Sequence, residues 1–145
     1  MTSPKPGLRI LVTGSREFDD LDVVRTALLE AVAGSEGPHT LVQGGARGAD
    51  TLAAKLAQEF GWAVETHPAD WPAPCVKSCV HGSRPARPDG GTYCPAAGHR
   101  RNQVMVDLGA DVVVAFLKAG ARNGGTKHCI RLAKNAGLTV RKVIG

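Results

Sequence analysis

Three times along this 145-residue chain an apolar run meets a glycine-bearing turn and a helical pattern follows. The turns are Thr13-Gly14-Ser15-Arg16, Gln43-Gly44-Gly45-Ala46-Arg47-Gly48-Ala49-Asp50 and Asn123-Gly124-Gly125-Thr126. Strands that alternate with helices through short connections imply a parallel sheet, because parallel neighbours need a crossover and the helices supply it. In an open sheet of this kind the strand-end turns gather at the carboxyl edge, where ligands bind.

Apolar runs predict strands over 8–13, 40–43, 62–67, 111–116 and 139–144. The alternation in 62–67 places that strand towards the edge of the sheet. Asp19 or Asp20 opens a helix whose apolar positions Leu21, Val24, Leu28, Leu29 and Val32 recur at helical spacing. A second helix carries Leu52, Ala53, Leu56, Ala57 and Phe60 on one face and stops at Gly61. Two more are expected over 99–108 and 126–136. The fold expected is α/β, a single Rossmann-like domain over 1–145. Its five-stranded, mostly parallel sheet carries helices on both faces, and an irregular Cys/His-containing excursion occupies 68–98. No internal repeat or linker divides it.

Ala, Val, Leu and Gly dominate the apolar share and aromatics are scarce, which suits helices packed closely on a sheet. The formal charge of +5 fits a partner bearing phosphates, and it also serves solubility alone. The polar, proline-broken start is unlike a signal peptide, and no stretch approaches the roughly 18 apolar residues of a membrane helix. A cytoplasmic protein without membrane partners is therefore expected, with its four cysteines used for metal or burial before disulfides.

Glycine lets backbone amides approach a phosphate, and a helix N-terminus adds partial positive charge. Ser15 and Thr126 can add hydroxyls, while Arg16 and Arg47 can grip phosphate or carboxylate oxygens. One such turn alone is more often a simple turn former; three at equivalent edges point to a ligand. Neither GxGxxG nor a Walker loop is present, and Lys127 after Thr126 reverses the Walker order. Asp50 suits either a helix-start hydrogen bond or a ligand. Asp111 lies at the wrong end of its strand for a carboxyl-edge site and reads as structural.

These residues resemble a known family. Thr13-Gly14-Ser15-Arg16-Glu17-Phe18, Gly44-Gly45-Ala46-Arg47-Gly48-Ala49-Asp50, Pro68-Ala69-Asp70-Trp71, Ala97-Gly98-His99-Arg100-Arg101-Asn102 and Gly124-Gly125-Thr126 are similar, in order, to the YspA/YpsA-related branch of the SLOG superfamily. The resemblance runs from about Leu8 to the C-terminus. It implies a Rossmann-like fold that binds nucleotides, nucleotide-derived signals or nucleic acid; the reading favoured here is a nucleotide or nucleotide-derived ligand, with a sensor as one role for the protein. It also implies a site of Gly14, Ser15, Arg16, Gly44, Gly45, Arg47, Asp50, Arg101, Asn102, Gly124, Gly125 and Thr126. Related phosphoribohydrolases, which cleave the base from a nucleoside monophosphate, carry Pro-Gly-Gly-x-Gly-Thr-x-x-Glu. The corresponding stretch here is one glycine short, with Cys129 in place of the Glu. Such hydrolysis needs a carboxylate, so the departure favours binding over catalysis.

The excursion places Cys75, Cys79, His81, Cys94 and His99 within 25 positions, enough for a tetrahedral zinc site. A structural zinc held by Cys75, Cys79, His81 and Cys94 is expected. His81 is preferred to His99 because it lies inside the loop. Cys129, with Ile130, Leu132, Ala133 and Ala136, marks an apolar helix face and should be buried. The excursion is also basic, through Lys77, Arg84, Arg87, Arg100 and Arg101, and carries Trp71 and Tyr93. This leaves open a third reading, a single-stranded nucleic-acid-binding module, beside one in which the arginines only solvate the loop. A homo-oligomer is compatible with the sequence, which shows no seam for one.

Overall fold

The five expected strands form as β1 (Arg9–Gly14), β2 (Thr40–Gln43), β3 (Ala63–Thr66), β4 (Val112–Leu117) and β5 (Val140–Ile144). Between them run α1 (Leu21–Ala31), α2 (Ala49–Glu59), α3 (Ala97–Leu108) and α4 (Gly124–Asn135). The structure, a computed structural model, describes residues 7–75 and 84–145. All four strand pairings are parallel, in the order β3-β2-β1-β4-β5.

Alternation along the central strands divides the core in two. Ile10, Val12, Leu41, Val112, Val114 and Phe116 pack against α1 and α2. Leu11, Val42 and Val113 turn to the other face and meet Met105 and Val106 of α3 and Cys129 and Ala133 of α4. A side chain such as Leu28, wholly buried, contributes roughly 1.5–3 kcal/mol by leaving water. Asp20 caps α1, its Oδ1 accepting from the Val23 amide at 3.1 Å.

The chain steps from β1 outward to β3, then returns through the excursion and α3 to lay β4 on the other side of β1. That reversal opens a crevice between the carboxyl ends of β1 and β4. Among the described residues the excursion holds no helix or strand before α3 begins at Ala97, only an isolated bridge between Ala86 and Thr92. Arg84 ties it together, donating to the carbonyls of Ala73 (3.0 Å) and Pro72 (3.2 Å) and to Thr92 Oγ1 (3.0 Å).

Several boundaries differ from the sequence reading. β4 starts at Val112, leaving Asp111 just outside, where its Oδ2 accepts from the Arg9 amide at 2.8 Å. α3 begins at Ala97 rather than His99. α4 begins at Gly124, so both glycines of the third turn belong to its first turn rather than preceding it. The first amides of a helix have no intrahelical partner, so glycine there sacrifices little. Among the described residues no helix is long and apolar enough to cross a membrane.

Candidate functional site

A cavity of about 620 Å³ lies at the crevice between β1 and β4. The turn after β1, the start of α2, Trp71, the first turns of α3 and the loop into α4 form its walls. Of the residues expected at a site, Gly14, Ser15, Arg16, Asp50, Arg101, Asn102, Gly124, Gly125 and Thr126 line it. Gly44, Gly45 and Arg47 do not.

The first two turns are built into each other. A Cβ on Gly14 would stand 2.4 Å from Ala49 Cβ, and one on Gly48, which has φ +82°, would stand 2.4 Å from the Ser15 carbonyl oxygen. That carbonyl accepts from the Ala49 amide at 3.3 Å, and the Ser15 amide donates to the Phe116 carbonyl at 3.0 Å. Ser15 is itself buried, its Oγ accepting from the Glu17 amide at 3.1 Å.

Asp50 closes the second turn from within. Its Oδ2 accepts from the amides of Gly44 (3.1 Å) and Ala46 (3.3 Å), the donors that would otherwise face an anion. Its Oδ1 is buried and has no hydrogen-bond partner among the described residues. Burial pushes this carboxyl up to about 6, against the lowering effect of the Ala46 and Gly44 amides and of Arg101 and Arg16. Asp50 thus ties down the amides of the second turn and leaves its other oxygen buried without a partner among the described residues.

Arg101 and Asn102 brace the far wall. Arg101 donates through Nη1 to the Gly44 carbonyl (2.8 Å) and through Nε to Asn102 Oδ1 (3.0 Å), and burial lowers its pKa. A Cβ on Gly44 would meet that guanidinium at 2.2 Å, so this glycine makes room for Arg101. Asn102 is buried and donates through Nδ2 to the Gly125 carbonyl at 3.2 Å, linking α3 to the start of α4.

The third turn is open. Among the described residues, a Cβ on Gly124 or Gly125 would meet nothing within 4 Å, and no side chain caps α4. Asn123 takes the left-handed conformation (φ 54°), its Oδ1 accepting from the Lys118 amide and its Nδ2 donating to the carbonyls of Lys118 and Ala121. It therefore shapes the loop and leaves the helix start exposed to the cavity.

Sequence reasoning weighed Trp71 only as a partner for nucleic acid, yet the ring lines this cavity. It lies over Gly98, with the Arg16 guanidinium 5.8 Å from its ring centroid and Tyr93 edge-on at 5.8 Å. The absence of a side chain on Gly98 was the available signal. His99, also in the lining, stacks on His128 with centroids 3.9 Å apart. The His128 pKa is lowered by burial and by the charges of His99 and Arg131.

Of the expected metal ligands, Cys79 and His81 lie outside the described residues. The Cys75 and Cys94 thiols meet, and their hydrogen bond holds Cys75 above its ordinary value. Arg84 donates to Cys75 Sγ and Arg100 to Cys94 Sγ, each at 3.2 Å. Among the described residues no group of three or more His, Cys, Asp or Glu side chains is placed to hold a metal ion, so His99 does not complete such a group with these two thiols. Cys129 is wholly buried beside Thr13, and burial pushes its thiol up to about 11.

A family model described as the YspA, cpYpsA-related SLOG family matches residues 8–73. Over 137 residues the chain is also 37% identical to the Gene 61 protein of Mycobacterium phage D29, an alignment covering 91% of this chain and 93% of that protein.

Proposed function

The chain belongs to the YspA, cpYpsA-related SLOG family, and from that premise we propose that its carboxyl-edge cavity binds a nucleotide or nucleotide-derived ligand, as a sensor does. Family membership points to nucleotide-related binding or ligand processing. The observation that carries the finer reading is the uncapped, unobstructed start of α4 facing the cavity. A phosphate approaches the Gly124, Gly125 and Thr126 amides without meeting a side chain, in the favourable field of the helix. Asp50, by holding the Gly44 and Ala46 amides, keeps the phosphate away from the second turn. Trp71 supplies a face for the base.

Asp50 also supports a second reading. A nucleoside-monophosphate hydrolase that lacks the usual glutamate needs another acid, and Asp50 is a cavity carboxyl able to hold a proton near pH 6. Water would add across the glycosidic bond, releasing base and ribose 5-phosphate.

The excursion we assign to a structural zinc ion held by Cys75, Cys79, His81 and Cys94. Cys75 and Cys94 stand side by side, each with a guanidinium N–H on its sulfur, an arrangement suited to thiolate ligands. Zinc there would close the loop that carries Trp71 to the cavity, without chemistry of its own.

One natively purified sample tests these readings, by elemental analysis and denaturing mass spectrometry, followed by incubation with AMP. A co-purifying nucleotide, near-stoichiometric zinc and intact AMP are expected. Free adenine would replace the sensor reading by the hydrolase. Absence of zinc would remove the metal, and absence of any bound or added nucleotide would remove the ligand reading.

A further inference from the structure

The positive charge of this protein is concentrated in one unit. All thirteen Asp and Glu residues lie at or before Asp111, whereas seven of the eighteen Lys and Arg residues lie beyond it. The first 111 residues therefore carry a formal charge of −2 and the last 34 carry +7. Those last residues are β4, α4, β5 and their connections.

Within this unit a groove of about 420 Å³ runs between α4 and the outer strands, with Leu117 and Ile130 in its lining and Lys127, Arg131, Lys134 and Lys142 around them. Lys127, Arg131 and Lys134 follow one another at helical spacing, so the first two are about 6 Å apart along the axis. Lys134 and Lys142 face each other closely enough that each repels the other's charge. Among the described residues none of these four has an ion pair. Lys118, by contrast, reaches Asp19 at 3.8 Å.

The excursion, the basic segment singled out in the sequence, is unlike this. Arg84 and Arg100 are bonded to its own carbonyls and sulfurs, Arg87 pairs with Asp89 at 3.1 Å, and Trp71 and Tyr93 pack on each other. These three arginines hold the loop together. The cations of α4 and β5 have no such use within the fold, and like charges held together without a counter-charge are relieved by an incoming anion.

We propose that the groove along α4 and β5 binds the phosphate backbone of a nucleic-acid strand. A row of cations suits a polymer that repeats its negative charge. An anionic membrane fits less well, because the exposed positions of α4 are glycine, charged or polar residues without a large apolar side chain to enter lipid. This surface is separate from the ligand cavity and does not depend on the reading of it.

The test is fluorescence anisotropy of a labelled 20-nucleotide oligo-dT titrated with the full chain between 50 and 200 mM salt. Binding should weaken steadily with salt, with a slope of about −2 to −3 in log–log form, as expected for three or four phosphate contacts. Lys134→Gln with Lys142→Gln should weaken binding about tenfold at 100 mM salt and lower the slope, while Lys134→Arg with Lys142→Arg restores it. Thermal unfolding of each variant checks the fold, and mononucleotide binding, where present, should be unchanged by the glutamine pair. No binding at 50 mM salt, binding undiminished in the glutamine pair, or tighter binding to phosphatidylserine vesicles than to the oligonucleotide would each overturn the proposal.

Discussion

The second and third glycine turns look alike in sequence and do opposite work. In the turn from Gly44 to Asp50 all three glycines are pressed by protein: Gly44 by Arg101, Gly48 by the Ser15 carbonyl and Gly45, less closely, by a methyl of Thr66. Its amides are drawn inward, those of Gly44 and Ala46 to Asp50 and that of Gly45 to Gln43 Oε1. At Asn123 to Thr126 a Cβ on either glycine would meet no atom of the described residues within 4 Å, and no side chain among them caps the helix start. A glycine conserves space either for the fold or for something outside it. Neighbours in three dimensions separate the two cases.

Three substitutions test this contrast. The largest effect is expected from Gly48→Ala, which combines φ +82° with a Cβ 2.4 Å from a backbone oxygen. Strain and overpacking together should cost about 4 kcal/mol, read by urea denaturation. A loss under about 1 kcal/mol would mean that the two turns separate easily.

The second effect is pH-dependent. The Asp50 carboxyl rises from 3.8 to about 6 on folding, so between those values the folded state binds more protons than the unfolded one. Stability from this group must therefore fall as pH rises from 4 to 6, by about 3 kcal/mol in all. Glu65, lowered to about 2 by Arg9 and His67, acts in the opposite sense below pH 4.5. The lowered His128 acts in the opposite sense around its ordinary value of 6.5. Subtracting the stability profile of Asp50→Asn from that of the native chain isolates the Asp50 contribution. A flat difference between pH 4 and 6 would show that Oδ1 already has a partner in solution.

The smallest effect on stability, within about 0.5 kcal/mol, is expected from Gly125→Ala. Its Cβ enters open space, yet it should weaken binding of any co-purifying nucleotide tenfold or more, measured by calorimetry. Unchanged affinity would move the phosphate away from α4.

Much of the fold was legible because its signals are local. The run Leu8 to Thr13, the Asp20 cap and the face of Leu52, Leu56 and Phe60 each report a period or a cap within a few residues. The edge position of β3 was visible in its alternation, and its pattern of exposed and half-buried residues agrees. Helix starts without a side-chain cap, at Ala97 and Gly124, were placed two residues late because they carry no local signal.

For the site, the sequence by itself determined which groups are available: glycines at strand ends, Asp50, the Arg101-Asn102 pair, and cysteines spaced for a metal. Tertiary structure decided how each is used. It turned Gly44 and Arg101 towards each other across 57 positions, placed Trp71 over Gly98, and gave Asp50 two amide donors for one oxygen and, among the described residues, none for the other. It also made the arginines of the excursion internal braces and left the lysines of α4 and β5 facing one another across a groove. The reason is physical: helical and strand periods are set by neighbours along the chain, whereas burial, desolvation and the pairing of charge depend on atoms brought together from distant parts of it.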